Sequence, residues 1–79
     1  MDLLDVTSVE TTADYGLLLT FENGERRRFD MAPLLQRKPF VELQPQQRFA
    51  QARVESGTVV WPGDIDVAPE TLYAGSVLI

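Results

Sequence analysis

The sequence predicts an α+β domain with a small antiparallel sheet of four or five strands, built from two hairpins, and two or three short helices on one face. Three observations predict this class: alternating apolar residues before an Asn-Gly turn, a second hairpin pattern around residues 56–57, and Pro residues that open short helical segments. With 79 residues, the chain is expected to form a single domain over residues 1–79. A domain of this size buries only ~60% of the surface that its unfolded chain exposes, so its core is thin.

The first predicted hairpin lies within residues 6–30. Apolar residues alternate from Tyr15 to Phe21, which is the period of a half-buried strand. Asn23-Gly24 follows almost directly and is a strong signal for a hairpin turn. Two or three antiparallel strands are therefore predicted in this part of the chain.

The length of the turn decides the register of this hairpin. A two-residue loop would place Phe29 on the face opposite the apolar stripe, whereas a three-residue loop over residues 22–24 pairs Leu17 with Phe29. In the longer loop Gly24 is left-handed in a bulge, a conformation that glycine adopts without steric cost. Because a one-residue slip swaps the two faces of a strand, the burial of Phe29 favours the three-residue loop.

Three consecutive arginines occupy the strand after this turn. In the favoured register Arg26 and Arg28 point away from the apolar stripe, and Arg27 points toward its rim. Two interpretations of Arg26 and Arg28 stay open: a solvated strand face, or a contact surface for an anion or another protein.

Two short helices are predicted after the arginine strand. Asp30 is expected to cap a helix that begins at Met31, since its carboxylate can accept hydrogen bonds from the free amides of a first turn. Arg37 and Lys38 lie at the end of this helix, where the helix dipole favours cations. A second short helix is predicted to begin near Pro45.

The second hairpin is predicted within residues 52–61, around a turn at residues 56–57. Trp61 ends its second strand, because Pro62 cannot donate a ladder hydrogen bond. Gly63 then allows a turn with positive φ.

The stretch over residues 64–73 completes the predicted fold. Pro69 is expected at the first position of a helical turn. Ala68 is a poor N-cap, so Asp66 is expected to cap this turn instead. The apolar residues 77–79 that follow are either buried or exposed at a partner surface.

The composition excludes most catalytic chemistry. The chain has no Cys and no His, so it lacks a thiolate and the commonest general base and metal ligand. Asp64, Asp66 and Glu70 are hard oxygen ligands that resemble the start of a calcium loop. Ala68 and Pro69 stand where that loop needs a Gly and further ligands. We therefore expect no enzyme activity, no cofactor and no metal site.

The net charge of −5 is distributed unevenly. Residues 1–25 carry six acids and no base, residues 26–53 carry seven bases and two acids, and residues 54–79 carry four acids and no base. We expect the acidic flanks to fold beside the basic middle and neutralise it. The alternative is a basic surface for an acidic partner. That surface would consist of Arg26, Arg28, Arg37 and Lys38.

Two segments of the chain carry recognisable signatures. The first is an apolar strand, an Asn-Gly turn, a basic strand, Phe-Asp and a Leu pair; the second is Trp-Pro-Gly followed by Asp, Pro-Glu and Leu-Tyr. The residues concerned are Asn23, Gly24, Phe29, Asp30, Leu34, Leu35, Trp61, Pro62, Gly63, Asp66, Pro69, Glu70, Leu72 and Tyr73. In both segments the chain resembles a family of small bacterial proteins catalogued as domain of unknown function 2442.

The resemblance implies a compact α+β domain with no established catalytic residue. Some members carry an appended helix-turn-helix DNA-binding domain, and some are encoded beside another small protein, which suggests toxin–antitoxin-like pairs. Six residues follow Tyr73, so we expect no helix-turn-helix in this chain, and we expect any DNA role to need a partner.

The favoured function is a non-catalytic protein-interaction or regulatory module, with the antitoxin-like member of a two-protein pair as one form of it. The alternatives are a nucleic-acid-associated regulator that acts through a partner, and a small-ligand- or metal-binding domain around Trp61, Asp64 and Asp66. Open sheet edges also predict a homodimer.

Neither direct nucleic-acid binding nor a membrane span is expected. The chain is acidic overall, whereas nucleic-acid affinity depends on a basic surface, and no run of ~18 apolar residues is present. The first residues, MDLLDV, lack the basic start and apolar core of a signal peptide, so a cytoplasmic location is expected.

Overall fold

A computed structural model describes residues 4–79, which form two antiparallel sheets, two short α-helices and two 3-10 helices. The first sheet has the strand order β1-β2-β3-β7, and the second has the order β4-β5-β6. The strands are β1 Val6–Thr11, β2 Gly16–Phe21, β3 Arg26–Asp30, β4 Arg53–Glu55, β5 Thr58–Trp61, β6 Ile65–Val67 and β7 Val77–Leu78. The helices are α1 Gln46–Phe49 and α2 Pro69–Gly75, and the 3-10 helices are Ala32–Gln36 and Phe40–Leu43. Residues 1–3, part of the segment used to exclude a signal peptide, lie outside the described residues.

The α+β class is confirmed, but the single sheet of four or five strands was wrong. Seven strands divide into sheets of four and three. Where the two sheets meet, Val6 N–H of β1 donates to Gly57 O at 2.8 Å. In its pairing with β2, β1 also has a bulge between Val6 and Ser8. The two sheets meet at β1 without forming a common ladder.

The first hairpin has the predicted register. Leu17 lies opposite Phe29, Phe21 N–H donates to Glu25 O at 2.9 Å, and Gly24 N–H donates to Phe21 O at 2.9 Å. Gly24 has a φ of +88°, which a residue with a Cβ adopts only at a cost. The three-residue loop is therefore confirmed, and with it the burial of Phe29.

The segment after β3 differs from the predicted helix. A 3-10 helix begins at Ala32 rather than at Met31, and Met31 takes the N-cap position. Asp30 Oδ1 accepts a hydrogen bond from Ala32 N–H at 3.0 Å, so the carboxylate supports the turn without capping an α-helix. Pro39 disfavours helical backbone at the residue before it, so the segment is short and forms only i→i+3 turns.

Both sheets contribute to one core. Trp61 lies in it with 2% of its surface exposed, and its Nε1–H donates to Phe49 O at 2.8 Å. The Trp61 and Phe49 rings stack at 6.0 Å, which fixes α1 against the second sheet. The buried apolar residues are Val6, Leu17, Leu19, Phe21, Phe29, Met31, Leu35, Leu43, Phe49, Val59, Trp61, Ile65, Val67 and Leu72.

The stretch after Trp61 is a turn, a strand and a helix, as predicted, except at its cap. Gly63 has a φ of +95°, and α2 begins at Pro69. Ala68 is the N-cap and no side chain caps the helix, so the prediction for Asp66 was wrong. Asp66 lies in β6 between two buried residues, and strand alternation turns it to the exposed side, away from the helix start.

Candidate interaction face

The signature residues of the two sequence segments have structural places. Asn23 Oδ1 accepts a hydrogen bond from Glu25 N–H at 3.0 Å, and Gly24 provides the positive φ of the same turn. Leu72 is fully buried, and the Tyr73 ring packs edge-on against Phe21 at 5.1 Å. The others lie in the core, a strand or a turn: Phe29, Asp30, Trp61, Pro62, Gly63, Asp66 and Pro69. These residues support the core, the strands and the turns of the fold.

The first sheet presents one face away from the core, here called the open face. Strand register arranges this face in two rows. The first row consists of Glu10, Leu18, Arg28 and Val77, and the second begins with Ser8, Thr20 and Arg26. Ile79 N–H donates to Arg26 O at 3.0 Å, which adds Ile79 to the second row. The open face therefore consists of Ser8, Glu10, Leu18, Thr20, Arg26, Arg28, Val77 and Ile79.

The open face combines apolar and cationic groups. Val77 and Ile79 are 63% and 62% exposed, and Leu18 is half-buried without packing on the core. The aromatic contacts of the two α-helices lie elsewhere: Phe49 of α1 packs on Tyr15, which directly precedes β2, and Tyr73 of α2 packs on Phe21, which belongs to the core. Three apolar side chains beside two arginines are therefore left at the surface of the described chain.

The four predicted basic residues do not form one surface. Arg26 and Arg28 lie on the open face, opposite Thr20 and Leu18 as expected. Arg37 and Lys38 are exposed in the connection between the two 3-10 helices, outside both rows of the open face. The structure thus divides the predicted set into two pairs.

The expected charge neutralisation is observed for three arginines. Acidic residues of the two flanks pair with the basic middle at N–O distances of 2.9 to 3.1 Å. The pairs are Arg27–Glu25, Arg28–Asp14 and Arg53–Glu55. A hydrogen bond from the Thr12 hydroxyl and the charge of Arg28 lower the pKa of Asp14. Within residues 4–79 no ion pair reaches Arg26, so its charge is available on the open face.

Arg27, on the other side of β3, holds β7 in place. Its Nε–H donates to Ser76 Oγ at 2.8 Å, one Nη2–H donates to Ser76 O at 3.1 Å, and one Nη1–H donates to Glu25 Oε1 at 2.9 Å. The guanidinium carbon lies 4.3 Å from the centre of the Tyr73 ring, and the Tyr73 hydroxyl donates to Glu25 Oε1 at 2.8 Å. These four residues, Glu25, Arg27, Tyr73 and Ser76, are called the arginine latch below.

The latch is expected to weaken in acid. The hydrogen bond from the Tyr73 hydroxyl, followed by those from Arg27, lowers the pKa of Glu25 below its usual 4.5. A carboxylate with a lowered pKa in the folded state stabilises the fold above its unfolded pKa, and this stabilisation is lost as the pH falls through the folded value. We therefore predict that urea unfolding curves measured from pH 7 to pH 3 show a loss of stability below about pH 4.5.

The control for this prediction is Glu25→Gln, which keeps a hydrogen-bonding side chain but does not titrate. Asp14 also has a lowered pKa, so acid will destabilise both proteins, and the difference between them isolates Glu25. A wild-type stability that falls in parallel with that of the variant would contradict the prediction.

Asp64 and Asp66 line a hollow elsewhere, on the outer side of the second sheet. This hollow has a volume of about 230 Å³ and is also lined by Arg53 and Glu55, which pair with each other at 3.1 Å. Within residues 4–79 no three carboxylates lie close enough together to hold a metal ion. In the same range no helix has the length and apolar composition needed to cross a membrane.

Sequence reasoning missed the latch and the part that β7 plays in the open face. Arg27 was placed at the rim of the apolar stripe, but Tyr73 and Ser76 lie 46 and 49 positions later in the chain. The sequence shows that Ser76 is followed by three apolar residues, 77–79, but this pattern does not indicate which strand the segment pairs with.

Comparison with known proteins gives one match. The family model described as Protein of unknown function (DUF2442) matches residues 6–77, which is almost the whole chain. The match confirms the resemblance predicted from the two sequence signatures. No curated protein matches the chain, and no solved structure matches it.

Proposed function

The chain belongs to the DUF2442 family of proteins of unknown function, and we propose that it acts as a non-catalytic protein-interaction or regulatory module. The observation that supports this proposal is the open face, on which Val77 and Ile79 are more than 60% exposed beside Arg26 and Arg28. Contiguous exposed apolar side chains next to arginine are typical of surfaces that another protein covers.

The chemistry of the open face defines the kind of partner. Val77 and Ile79 are adjacent on the apolar edge of this face, and Leu18 lies on the far side of Arg28. Arg26 has a charge that no acid within residues 4–79 pairs with. A guanidinium binds a carboxylate with two parallel hydrogen bonds, which gives direction as well as attraction. The partner is therefore a protein with an acidic and apolar surface.

The finer form of this proposal is a regulator paired with one dedicated protein. An antitoxin-like protein acts by covering its partner, and the open face is the surface with which this chain would do so. We place both proteins in the cytoplasm.

A charge-reversal experiment tests the open face as the docking surface. Arg26→Glu is expected to reduce the amount of partner captured from the native lysate at least tenfold, because a carboxylate then faces the acidic surface of the partner. Arg37→Glu makes the same change in net charge at an exposed site outside the open face, and it is expected to capture as much partner as the wild type. Equal capture by both variants, or loss only with Arg37→Glu, would show that the open face is not the docking surface.

A further inference from the structure

The outer edge of β7 differs from the other sheet edges formed by residues 4–79. β1 has exposed polar residues and a bulge, β4 has Arg53 and Glu55, and β6 has Asp66. Charges and bulges are devices that prevent a sheet edge from pairing with another chain. The segment Val77–Ile79 has neither, and all three of its side chains are at least 62% exposed.

The backbone of β7 also has hydrogen-bonding groups directed outward. Ile79 N–H donates to Arg26 O at 3.0 Å, so Arg26 and Ile79 form a hydrogen-bonded pair in the antiparallel ladder. Such pairs alternate along a ladder, so the next pair, Arg27 and Leu78, is not hydrogen-bonded. Leu78 therefore directs its N–H and its C=O away from β3, toward the free edge.

We propose that a second copy of this chain pairs its β7 antiparallel to the first, with the two-fold axis at Leu78. The two Leu78 residues then exchange both N–H···O=C bonds, and Val77 of each copy lies opposite Ile79 of the other. The segment is complementary to itself, because it has no charged side chain that would meet a like charge across the axis. This inference is independent of the proposed function, since it uses the edge of the sheet rather than its open face.

The charges of the neighbouring strands allow this arrangement. The strand order across the axis is β3, β7, β7 and β3, so three strand spacings, or ~14 Å, separate the two β3 backbones, and the two Arg26 residues are also offset along the strand direction. This distance exceeds the Debye length of ~8 Å at physiological salt, so repulsion between the arginines is small. The two open faces become one surface across an eight-stranded sheet.

The dimer is expected to be weak. The strand is two residues long, so pairing covers less than the ~1,200 Å² of a standard interface. We expect a dissociation constant on the order of 10–100 μM, because little buried area remains to offset the entropy lost on association.

Sedimentation equilibrium of the purified chain tests the proposal. The wild-type mass is expected to rise from 8.9 kDa toward twice this value as the concentration increases from low micromolar to near-millimolar. Leu78→Pro removes the outward N–H, which β3 does not use, and Leu78→Lys places like charges on the axis; each is expected to stay monomeric. Because Leu78→Lys keeps the backbone unchanged, it is informative even if the Pro variant fails to fold.

The control is Val41→Lys, which adds the same charge at an exposed apolar residue outside β7, and it is expected to dimerise like the wild type. A wild-type chain that stays at 8.9 kDa throughout would overturn the proposal. So would dimers that persist in both Leu78 variants, or that are lost in Val41→Lys.

Discussion

Replacing Trp61 with alanine is expected to remove a large part of the stability of the fold and to lower its urea unfolding midpoint strongly. The side chain is 2% exposed, stacks on Phe49 and donates its indole N–H to Phe49 O. Truncating a buried Trp costs about 3–5 kcal/mol. A domain of 79 residues has a total free energy of unfolding of only about 4–12 kcal/mol, at ~0.05–0.15 kcal/mol per residue.

Trp61→Phe is the matched control for this prediction, because it keeps an aromatic ring and removes the indole N–H. It is expected to cost about 1–3 kcal/mol, the range for a buried acceptor left without its hydrogen bond. Far-UV circular dichroism during urea unfolding is the suitable measurement, since the chain has no second Trp to report by fluorescence. Equal unfolding midpoints for the two variants would show that packing by Trp61 does not hold α1 on the second sheet.

Replacing Arg27 with alanine is expected to destabilise the fold by about 1.5–3 kcal/mol, the range for hydrogen bonds to a charged group. The side chain is only 17% exposed, and it joins Ser76, Glu25 and Tyr73. Without this side chain, β7 is held by its short backbone pairing with β3 alone and opens more often. We therefore also expect the Ile79 amide to exchange with solvent much faster than in the wild type.

Arg28→Ala is the control, because it removes the same side chain from the next position on the opposite face of β3. Arg28 pairs with Asp14, whose side chain is 74% exposed, and such surface pairs contribute only about 0–1 kcal/mol. Urea unfolding and hydrogen exchange of both variants measure the difference. If Arg28→Ala were as destabilising as Arg27→Ala, or if Ile79 exchange were unchanged in Arg27→Ala, the latch would have no role in holding β7.

Local patterns in the sequence were sufficient to predict the hairpins. Phe29 can join the apolar stripe only with a three-residue loop, so burial of one side chain fixed the register of β2 and β3. Gly63 and Pro69 likewise marked a turn with positive φ and a helix start, both of which are observed.

Features that depend on distant contacts could not be predicted in this way. The division into two sheets depends on where residues 52–67 pack, and this has no local signature in the sequence. The expected cap at Asp66 failed for a related reason. Asp66 pairs with Val60 in the ladder between β6 and β5, so it lies in a strand and does not cap α2.

The sequence predicted the arginines of the open face but not the apolar residues beside them. Strand alternation placed Arg26 and Arg28 on one face, and the structure agrees. The apolar residues Val77 and Ile79 dock beside the arginines through the pairing of β7 with β3 and the hydrogen bonds from Arg27 to Ser76. No pattern in the sequence connects residues that are 49 positions apart.

The composition of its complex in the native cell shows whether this chain covers a dedicated protein partner. The tagged wild-type chain, expressed at its natural level, would be recovered and its co-purifying proteins quantified by mass spectrometry. We expect one protein in stoichiometric amount that is lost with Arg26→Glu and kept with Arg37→Glu. Recovery of the chain alone, as a monomer or a homodimer, would contradict it.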